Sequence, residues 1–531
     1  MTVQSISWAP LAPVLVLVGG VVIVLLADLM LSLQVRRTVL PAMSAVACLG
    51  AAGSATWLRG PTESGGTFCS PAGSAQGVRC SYVLGESAAF LTVLLCLAAA
   101  AVLVLALAQL RADAVGRTPS GEYCLVLLAA TIGAVIVAGS RDLITLVVGL
   151  ETLTVPMYAA VAFRRGSTAG AEAALTLLVV SVTSTALMLL GIGFLYGLTG
   201  TMHLDALAET LTAGGGVSDR ALSGVAVVLL LAGLAFKVGA VPFHVWAPST
   251  YQGAPIPVAA YLSSVSKAGG IAGLIAVLPA VSAGSSAAAT WIGLLAAVSM
   301  TVGNLVAMRQ RHLVRLLAWS GIGQTGYLLV GLAVFSGRSE QALSGAGATL
   351  AYLSVYVLMT VGAFACIAAI ADRTDDGEGP SVESVRGLAA DHPRVAVAFA
   401  LFLIGLAGLP PMAGFFAKVT LLQAAIEVES YTIVIVALVV SLLVLVAIAR
   451  VWNEAFWKNP PDDIAGLVGR PGALQVSGAR LIPLLLPVVT LASLTLIMGI
   501  AAEAILAIAM DAGEQLMNPS GYIQAVLGGQ Q

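Results

Sequence analysis

Long apolar segments recur along almost the whole chain, and they constrain its fold more than any other feature. Of the 531 residues, 59% are hydrophobic and only 9% are charged, and the mean hydropathy is +1.00. Soluble domains carry about 25% charged residues. The composition therefore predicts an all-α polytopic membrane protein, because helices satisfy their own backbone hydrogen bonds inside lipid. No basic run is present, which argues against nucleic-acid binding.

About fourteen segments are long enough to cross a bilayer, since a helical span needs about 20 apolar residues. The predicted spans cover residues 11–33, 39–58, 87–110, 121–139, 143–163, 171–197, 221–241, 255–280, 286–307, 314–336, 343–371, 394–429, 431–452 and 481–508. The seventh span meets Pro242 and continues as a short second half over 242–253. The twelfth is too long for a plain span and contains Leu-Pro-Pro-Met-Ala-Gly at 409–414. We therefore predict that helices 7 and 12 are broken.

The two broken helices lie five spans apart, and an odd offset reverses direction across the membrane, as an inverted repeat requires. The tripeptide Gly-Leu-Ala also precedes each break, at 233–235 and 405–407. We predict two five-helix inverted repeats. The predicted division is residues 1–110 for helices 1–3, 121–280 for the first repeat (helices 4–8), 286–452 for the second repeat (helices 9–13), and 453–531 for an inner loop, helix 14 and an outer tail.

The distribution of Lys and Arg predicts the orientation. If the N-terminus lies outside, sixteen of the 24 basic residues fall in inner loops and five in outer loops. Inner loops are normally the richer in Lys and Arg. This skew places both termini outside.

Four ionisable residues fall inside predicted spans: Glu151, Lys237, Lys267 and Lys418. A charge at the bilayer centre costs at least about 2.5–3.5 kcal/mol, and such residues are usually functional. A buried lysine either loses its proton or is kept charged by a carboxylate. Pairing of Glu151 with Lys237 would make a proton switch, whereas Lys267 and Lys418 would accept protons without a carboxylate. The alternative is that these groups form buried ion pairs that lock helices together.

Two further ionisable residues have open roles. His244 follows the break at Pro242, where it either relays a proton or orders the turn by hydrogen bonding. Asp28 lies towards the inner end of the first span, where it reaches headgroups or a partner, or has a function of its own.

Cysteine and histidine spacing predicts no metal, haem or iron–sulfur site, because neither a C-x-x-C motif nor a His/Cys cluster occurs. Cys69 and Cys80 fall in one outer loop, where they form a disulfide or remain two thiols. The G-x-G-x-x-G match at 321–326 lies inside a predicted span without a preceding strand. It therefore indicates close helix packing rather than dinucleotide binding.

The run PFHVWAPSTYQGAPIPVAAYLSSVSK at 242–267 closely resembles the antiporter-like membrane subunits of respiratory complex I, the proton-pumping NADH–quinone oxidoreductase. Further matches are VVGLETLTVPMY at 147–158, RQRHLVRLLAWSGIGQTGYLLVG at 309–331 and GLAGLPPMAGFFAKVTLL at 405–422. Within that family the chain most resembles the subunit N branch, because it has Tyr-Gln-Gly-Ala-Pro at 251–255 and a lysine at 418.

The resemblance implies a role for each buried ionisable residue. Glu151 and Lys237 match a glutamate–lysine pair on helices 5 and 7, Lys267 matches the central lysine of helix 8, and Lys418 matches the terminal lysine of helix 12. It also implies water between these groups and no redox centre in this chain. NADH, FMN, iron–sulfur clusters and quinone would then belong to other subunits of the enzyme. The implied partners are the other membrane-arm subunits and the lipid of a bacterial cell membrane.

Two positions depart from the family pattern: Ser249 stands where an aspartate is usual, and Gln324 stands where a histidine or similar residue is usual. Neither change affects the lysines. Two other functions stay open at this point. One is the large subunit of a multi-subunit sodium (or other cation)/proton antiporter, and the other is a structural membrane subunit that conducts nothing.

Overall fold

A computed structural model describes most of the chain and is almost entirely helical. The described residues are 6–58, 65–71, 78–112, 118–163, 167–213, 220–282, 287–336, 342–371, 380–458 and 478–514. The first half contains α1 (Ala12–Met30), α2 (Leu33–Trp57), β1 (Gly66–Pro71), β2 (Val78–Val83), α3 (Glu86–Ala112), α4 (Ser120–Gly139), α5 (Leu143–Val161), α6 (Thr168–Thr199), α7 (Leu204–Ala213), α8 (Arg220–Val238), α9 (Trp246–Gly253), α10 (Ile256–Tyr261) and α11 (Lys267–Ser282). The second half contains α12 (Ala287–Ala307), α13 (Leu313–Phe335), α14 (Ala342–Ala371), α15 (Leu388–Asp391), α16 (Pro393–Ala407), α17 (Ala413–Glu427), α18 (Tyr431–Phe456), α19 (Gly478–Ile500) and α20 (Ala502–Glu514).

Twelve helical segments within the described residues are long and apolar enough to cross a membrane. The prediction of an all-α polytopic membrane protein is therefore confirmed. The other two predicted spans take different forms: α16 and α17 have 15 residues each, and the pair α19–α20 bends by 83°. The count of fourteen stays a prediction. The predicted inner loop and outer tail fall largely at 459–477 and 515–531, outside the described residues.

A short hairpin departs from the all-α expectation. Strands β1 and β2 pair antiparallel with Cys69 opposite Cys80, and these two cysteines form a disulfide. The hairpin is anchored to the α4–α5 connection, since Arg141 N donates to Ser81 O at 2.9 Å. This hairpin was not predicted from the sequence, because the predictions rest on apolar segments of about 20 residues and each strand has only six.

The centre of the bundle lies at α10–α11, α13 and α14. Between 83% and 89% of the residues are buried in the most apolar windows of these segments, compared with 28% for the first span and for α18. Helix α13 packs closely on α12, because the backbone at Gly323 lies against Asn304 and that at Gly326 lies against Met300. This agrees with the packing interpretation of the glycine motif at 321–326.

Helices end at both predicted breaks. Helix α8 stops at Val238, followed by Gly239 in the left-handed region (φ +71°), and the helix resumes only at Trp246. Helix α16 stops at Ala407, followed by left-handed Gly408 (φ +78°). Glycine adopts this conformation without the steric cost that a side chain brings. That each pair of half-helices forms one broken span, and that the two sets of helices are inverted repeats, stay predictions.

Asp28 lies near the C-terminal end of α1 and contacts two other helices. Its carboxylate lies 3.3 Å from Arg36 Nη1, and it also lies so close to Gly121 that no side chain fits there. Gly121 is in the first turn of α4, where the partial positive charge of a helix N-terminus favours a carboxylate. The geometry therefore gives Asp28 a structural contact between two helices.

Candidate functional site

Lys237 sits among polar side chains from two neighbouring helices. Its Nζ donates to Glu151 Oε1 at 3.0 Å, to Thr154 Oγ1 at 2.9 Å and to Ser181 Oγ at 3.3 Å. Glu151 Oε1 also accepts from Thr185 Oγ1 at 2.7 Å. Helix α5 provides Glu151 and Thr154, α6 provides Ser181 as an acceptor and Thr185 as a donor to Glu151, and α8 brings Lys237 to them from its last turn. The Glu151–Lys237 pairing expected from the sequence is present.

The two members of this pair differ in exposure. The Lys237 side chain is 5% exposed, whereas the Glu151 side chain is 29% exposed. A buried ammonium needs a nearby counter-charge or hydrogen-bond acceptors to stay charged. The carboxylate is therefore the accessible end of the pair.

Lys267 is the first residue of α11 and is held by α13. Its Nζ donates to Gly321 O at 2.7 Å and to Thr325 Oγ1 at 2.8 Å, and it lies 5.5 Å from the centre of the Tyr356 ring. A π-helical turn over 262–266 precedes it. Such wide turns are rare in helices and often occur at functional sites.

Lys418, on α17, binds the end of the preceding helix. Its Nζ donates to the carbonyl oxygens of Leu406 and Ala407 at 3.0 and 2.9 Å. It also lies 4.3 Å from the centre of the Tyr327 ring. These carbonyls belong to the last turn of α16, where the helix offers no amide donors. The C-terminal end of α16 therefore supplies the acceptors for the third lysine.

Two adjacent residues of α13 contact the C-terminal ends of α8 and α16. Thr325 Oγ1 lies 3.1 Å from Val238 O, at the end of α8, and Gln324 Nε2 donates to Leu406 O, at the end of α16, at 2.9 Å. The Tyr352 hydroxyl donates in turn to Gln324 Oε1. Residue 324, which departs from the family pattern, thus contacts the same carbonyl as Lys418.

His244 is not in this network. Its half-buried ring packs edge-on against Trp319, with the ring centres 5.1 Å apart. Its Nδ1 is buried and has no hydrogen-bond partner within the described part of the chain. Neither of its two predicted roles is tested by these contacts, and both stay predictions.

Several hydrogen-bonding residues of the site were not predicted. Hydroxyl residues are frequent in the apolar helices, so composition does not reveal which ones face a lysine. The additional residues are Thr154, Ser181, Thr185, Thr325 and Tyr352. Spacing was a usable signal for one of them, since Thr154 follows Glu151 by three residues and therefore shares its helix face. Across residues 6–514, where described, no group of three or more His, Cys, Asp or Glu side chains is arranged to hold a metal ion.

Comparison with known proteins identifies the class of membrane protein to which this fold belongs. Residues 140–444 match a family model described as "NADH:quinone oxidoreductase/Mrp antiporter, TM". A chain of respiratory complex I from Thermus thermophilus is similar, with a TM-score of 0.72 and 28% identity over 94% of this chain and 99% of that one. A chain of the Mrp complex from Dietzia sp. DQ12-45-1b is also similar, with a TM-score of 0.78 and 25% identity over 99% and 100% of the two chains. The fold is thus that of an antiporter-like membrane subunit.

The sequence relatives narrow this class. NADH-quinone oxidoreductase subunit N from Salinispora tropica is 44% identical over 466 residues, which cover 86% of each chain. The present chain belongs to this subunit N family, within the wider NADH:quinone oxidoreductase/Mrp antiporter family.

Proposed function

We propose that the chain is a proton-translocating subunit in the membrane arm of an NADH–quinone oxidoreductase. One observation supports this most strongly: three lysines that are at most 6% exposed lie inside the bundle, each within hydrogen-bond distance of several acceptors. Intramembrane ionisable residues are expensive and are commonly found in proton relays. Proton movement explains why an apolar bundle retains all three.

The proposed relay runs through Glu151, Lys237, Lys267 and Lys418, with water between them. Glu151 and Lys237 exchange a proton directly, because their side chains are in hydrogen-bond contact. Lys267 and Lys418 take up and release protons next to carbonyl and hydroxyl oxygens that stabilise the charged form. His244 serves as a further relay group or orders the break.

Electron transfer is assigned to other subunits. In this proposal NADH, FMN, iron–sulfur clusters and quinone bind elsewhere in the complex, and redox steps there drive the charge changes here. The chain is then part of a translocating enzyme without a redox site of its own. Its partners are the related antiporter-like subunits and small membrane subunits. It lies in the bacterial cell membrane with both termini outside.

Lys237→Ala tests this function in the assembled complex. We expect NADH oxidation to lose its coupled proton pumping, because Glu151 is left without its cation. Lys458→Ala is the matched control, since Lys458 pairs with Glu454 near the end of α18 and is 45% exposed. Pumping at the parent rate by an assembled Lys237→Ala complex would rule out the relay and favour the structural-subunit alternative.

A cation/proton antiporter is the second candidate, and the similarity to a chain of the Mrp complex favours it. The same lysines would then exchange protons for sodium. Vesicles containing the protein would show sodium-driven proton movement that is insensitive to inhibitors of NADH oxidation. Proton movement driven by NADH without added sodium would support the leading proposal instead.

A further inference from the structure

We propose that Thr325 is a positioning residue that links the charge on Lys267 to the helix end that carries Lys237. The inference rests on the proposed proton-translocating function and extends it to a residue outside the four ionisable groups. It concerns how the charge of one lysine affects another lysine on a different helix. Within the described residues, Lys237 pairs with Glu151, whereas Lys267 is held by neutral acceptors.

The contacts of Thr325 place its hydroxyl between three groups. The side chain is fully buried. Its Oγ1 accepts from Lys267 Nζ at 2.8 Å and lies 3.0 Å from Gly321 O and 3.1 Å from Val238 O. A hydroxyl carries one hydrogen, so it donates to only one of these carbonyls at a time. Gly321 O already accepts a hydrogen bond from Lys267 at 2.7 Å. The Thr325 hydrogen is therefore more important for Val238 O, which Lys267 does not reach.

Val238 directly follows Lys237 in α8. The last carbonyls of an α-helix have no amide donor in their own helix. The two amides that could serve this oxygen in a continued helix are not available, since Val241 N donates to Ser299 Oγ at 2.9 Å and Pro242 has no N–H. The Thr325 hydroxyl is therefore placed to satisfy a carbonyl that the break leaves open.

The charge on Lys267 decides how this hydroxyl orients. A charged ammonium has only donors, so Thr325 must present a lone pair to it and keep its hydrogen for a carbonyl. A neutral amine has a lone pair of its own and can accept the Thr325 hydrogen. Val238 O would then lose its donor. Loss of a proton from Lys267 thus changes the hydrogen bonding of the helix end next to Lys237.

Four variants test the inference in the complete membrane-bound complex, with proton pumping measured per NADH oxidised and per assembled complex. Thr325→Val keeps the shape and removes the hydroxyl, and Thr325→Ser keeps the hydroxyl. Thr349→Val is the control, because Thr349 is equally buried and donates to Gly345 O of its own helix at 2.8 Å. Lys267→Met tests the underlying function.

We expect Thr325→Val to lower coupled pumping about threefold to tenfold, the range for losing one hydrogen bond between neutral groups. Thr325→Ser restores most of the rate, and Thr349→Val leaves it unchanged. Normal pumping by Thr325→Val, with Lys267→Met inactive, would overturn the inference and leave the proposed function standing. Normal pumping by Lys267→Met would overturn both. An equal loss in Thr325→Val and Thr349→Val would show a packing role and also overturn the inference. If Thr325→Val does not assemble, Thr325→Ala replaces it in the same comparison.

Discussion

At the scale of single residues, the glutamate–lysine pair combines a buried cation with a partly accessible anion. Lys237 has two neutral acceptors besides Glu151, namely Thr154 and Ser181. These hydroxyls stabilise the ammonium but carry no charge. Among these contacts, Glu151 therefore supplies the only charge opposite to that of Lys237.

Glu151→Gln isolates this contribution, because glutamine keeps the size and hydrogen-bonding capacity of the side chain. Removing one member of a buried ion pair costs about 3–5 kcal/mol, and the partial exposure of Glu151 places its cost towards the lower end. We expect pumping and NADH oxidation to fall together by at least about tenfold, since about 1.4 kcal/mol corresponds to a factor of ten.

Glu454→Gln provides the control for that experiment. Glu454 accepts from Arg386 and Lys458, each at 2.6 Å, near the C-terminal end of α18. Its loss removes an ion pair of the same type away from the proposed relay. Equal losses of activity in the two variants would mean that ion pairing in general, and not the position of Glu151, is what the complex requires.

At the scale of helices, the second break supplies backbone carbonyls to Lys418, and Gly408 sets their position. A Cβ atom at residue 408 would come within 2.6 Å of Lys418 Cδ. The left-handed backbone adds about 1–2 kcal/mol of strain for a residue with a side chain. We therefore expect Gly408→Ala to displace the lysine from its acceptors and to lower proton pumping severalfold.

Gly200→Ala separates the two effects. Gly200 ends α6 in the same left-handed conformation (φ +69°), but no heavy atom lies within 4 Å of a Cβ atom placed there. It therefore carries the strain without the collision. Similar pumping rates for Gly408→Ala and Gly200→Ala would show that the close approach of residue 408 to Lys418 does not affect function.

The parts of this site that could be predicted from the sequence are those that interrupt the apolar, helical pattern. Lysines stand out in apolar helices, and prolines mark the ends of α8 and α16, so both were identified. The acceptors did not stand out, because every residue has a carbonyl and hydroxyls are common in these helices. Hydrophobic periodicity gives no help in α13, which is buried on nearly all sides. Which carbonyl lies opposite Lys418 depends on how α16 and α17 pack against each other, and only the three-dimensional structure shows that packing.

At the scale of the whole molecule, the disulfide offers a test of orientation. Cys69 and Cys80 are joined in the hairpin, and the other four cysteines are buried. We expect a membrane-impermeant maleimide to label intact cells only after reduction, at these two positions, if the hairpin faces outside.

A cysteine introduced at Lys458 is the opposite marker. It would lie on the inner side, so we expect labelling in inside-out vesicles and none in intact cells. Labelling of Lys458→Cys from outside, with Cys69 and Cys80 protected, would reverse the proposed orientation of both termini.

The backbone oxygens around Lys418 have an electrical consequence for the entire assembly. A carbonyl does not ionise, so a proton gained or lost by Lys418 in the proposed relay would change the net charge of its neighbourhood by a full unit. A proton passed between Glu151 and Lys237 would instead leave the net charge of that pair the same. In a medium of low permittivity an uncompensated unit charge is felt over many ångströms. If the proposed relay operates, proton exchange at the Glu151–Lys237 pair would leave the net charge there unchanged, whereas protonation of Lys418 would change the electric field felt by an adjacent subunit.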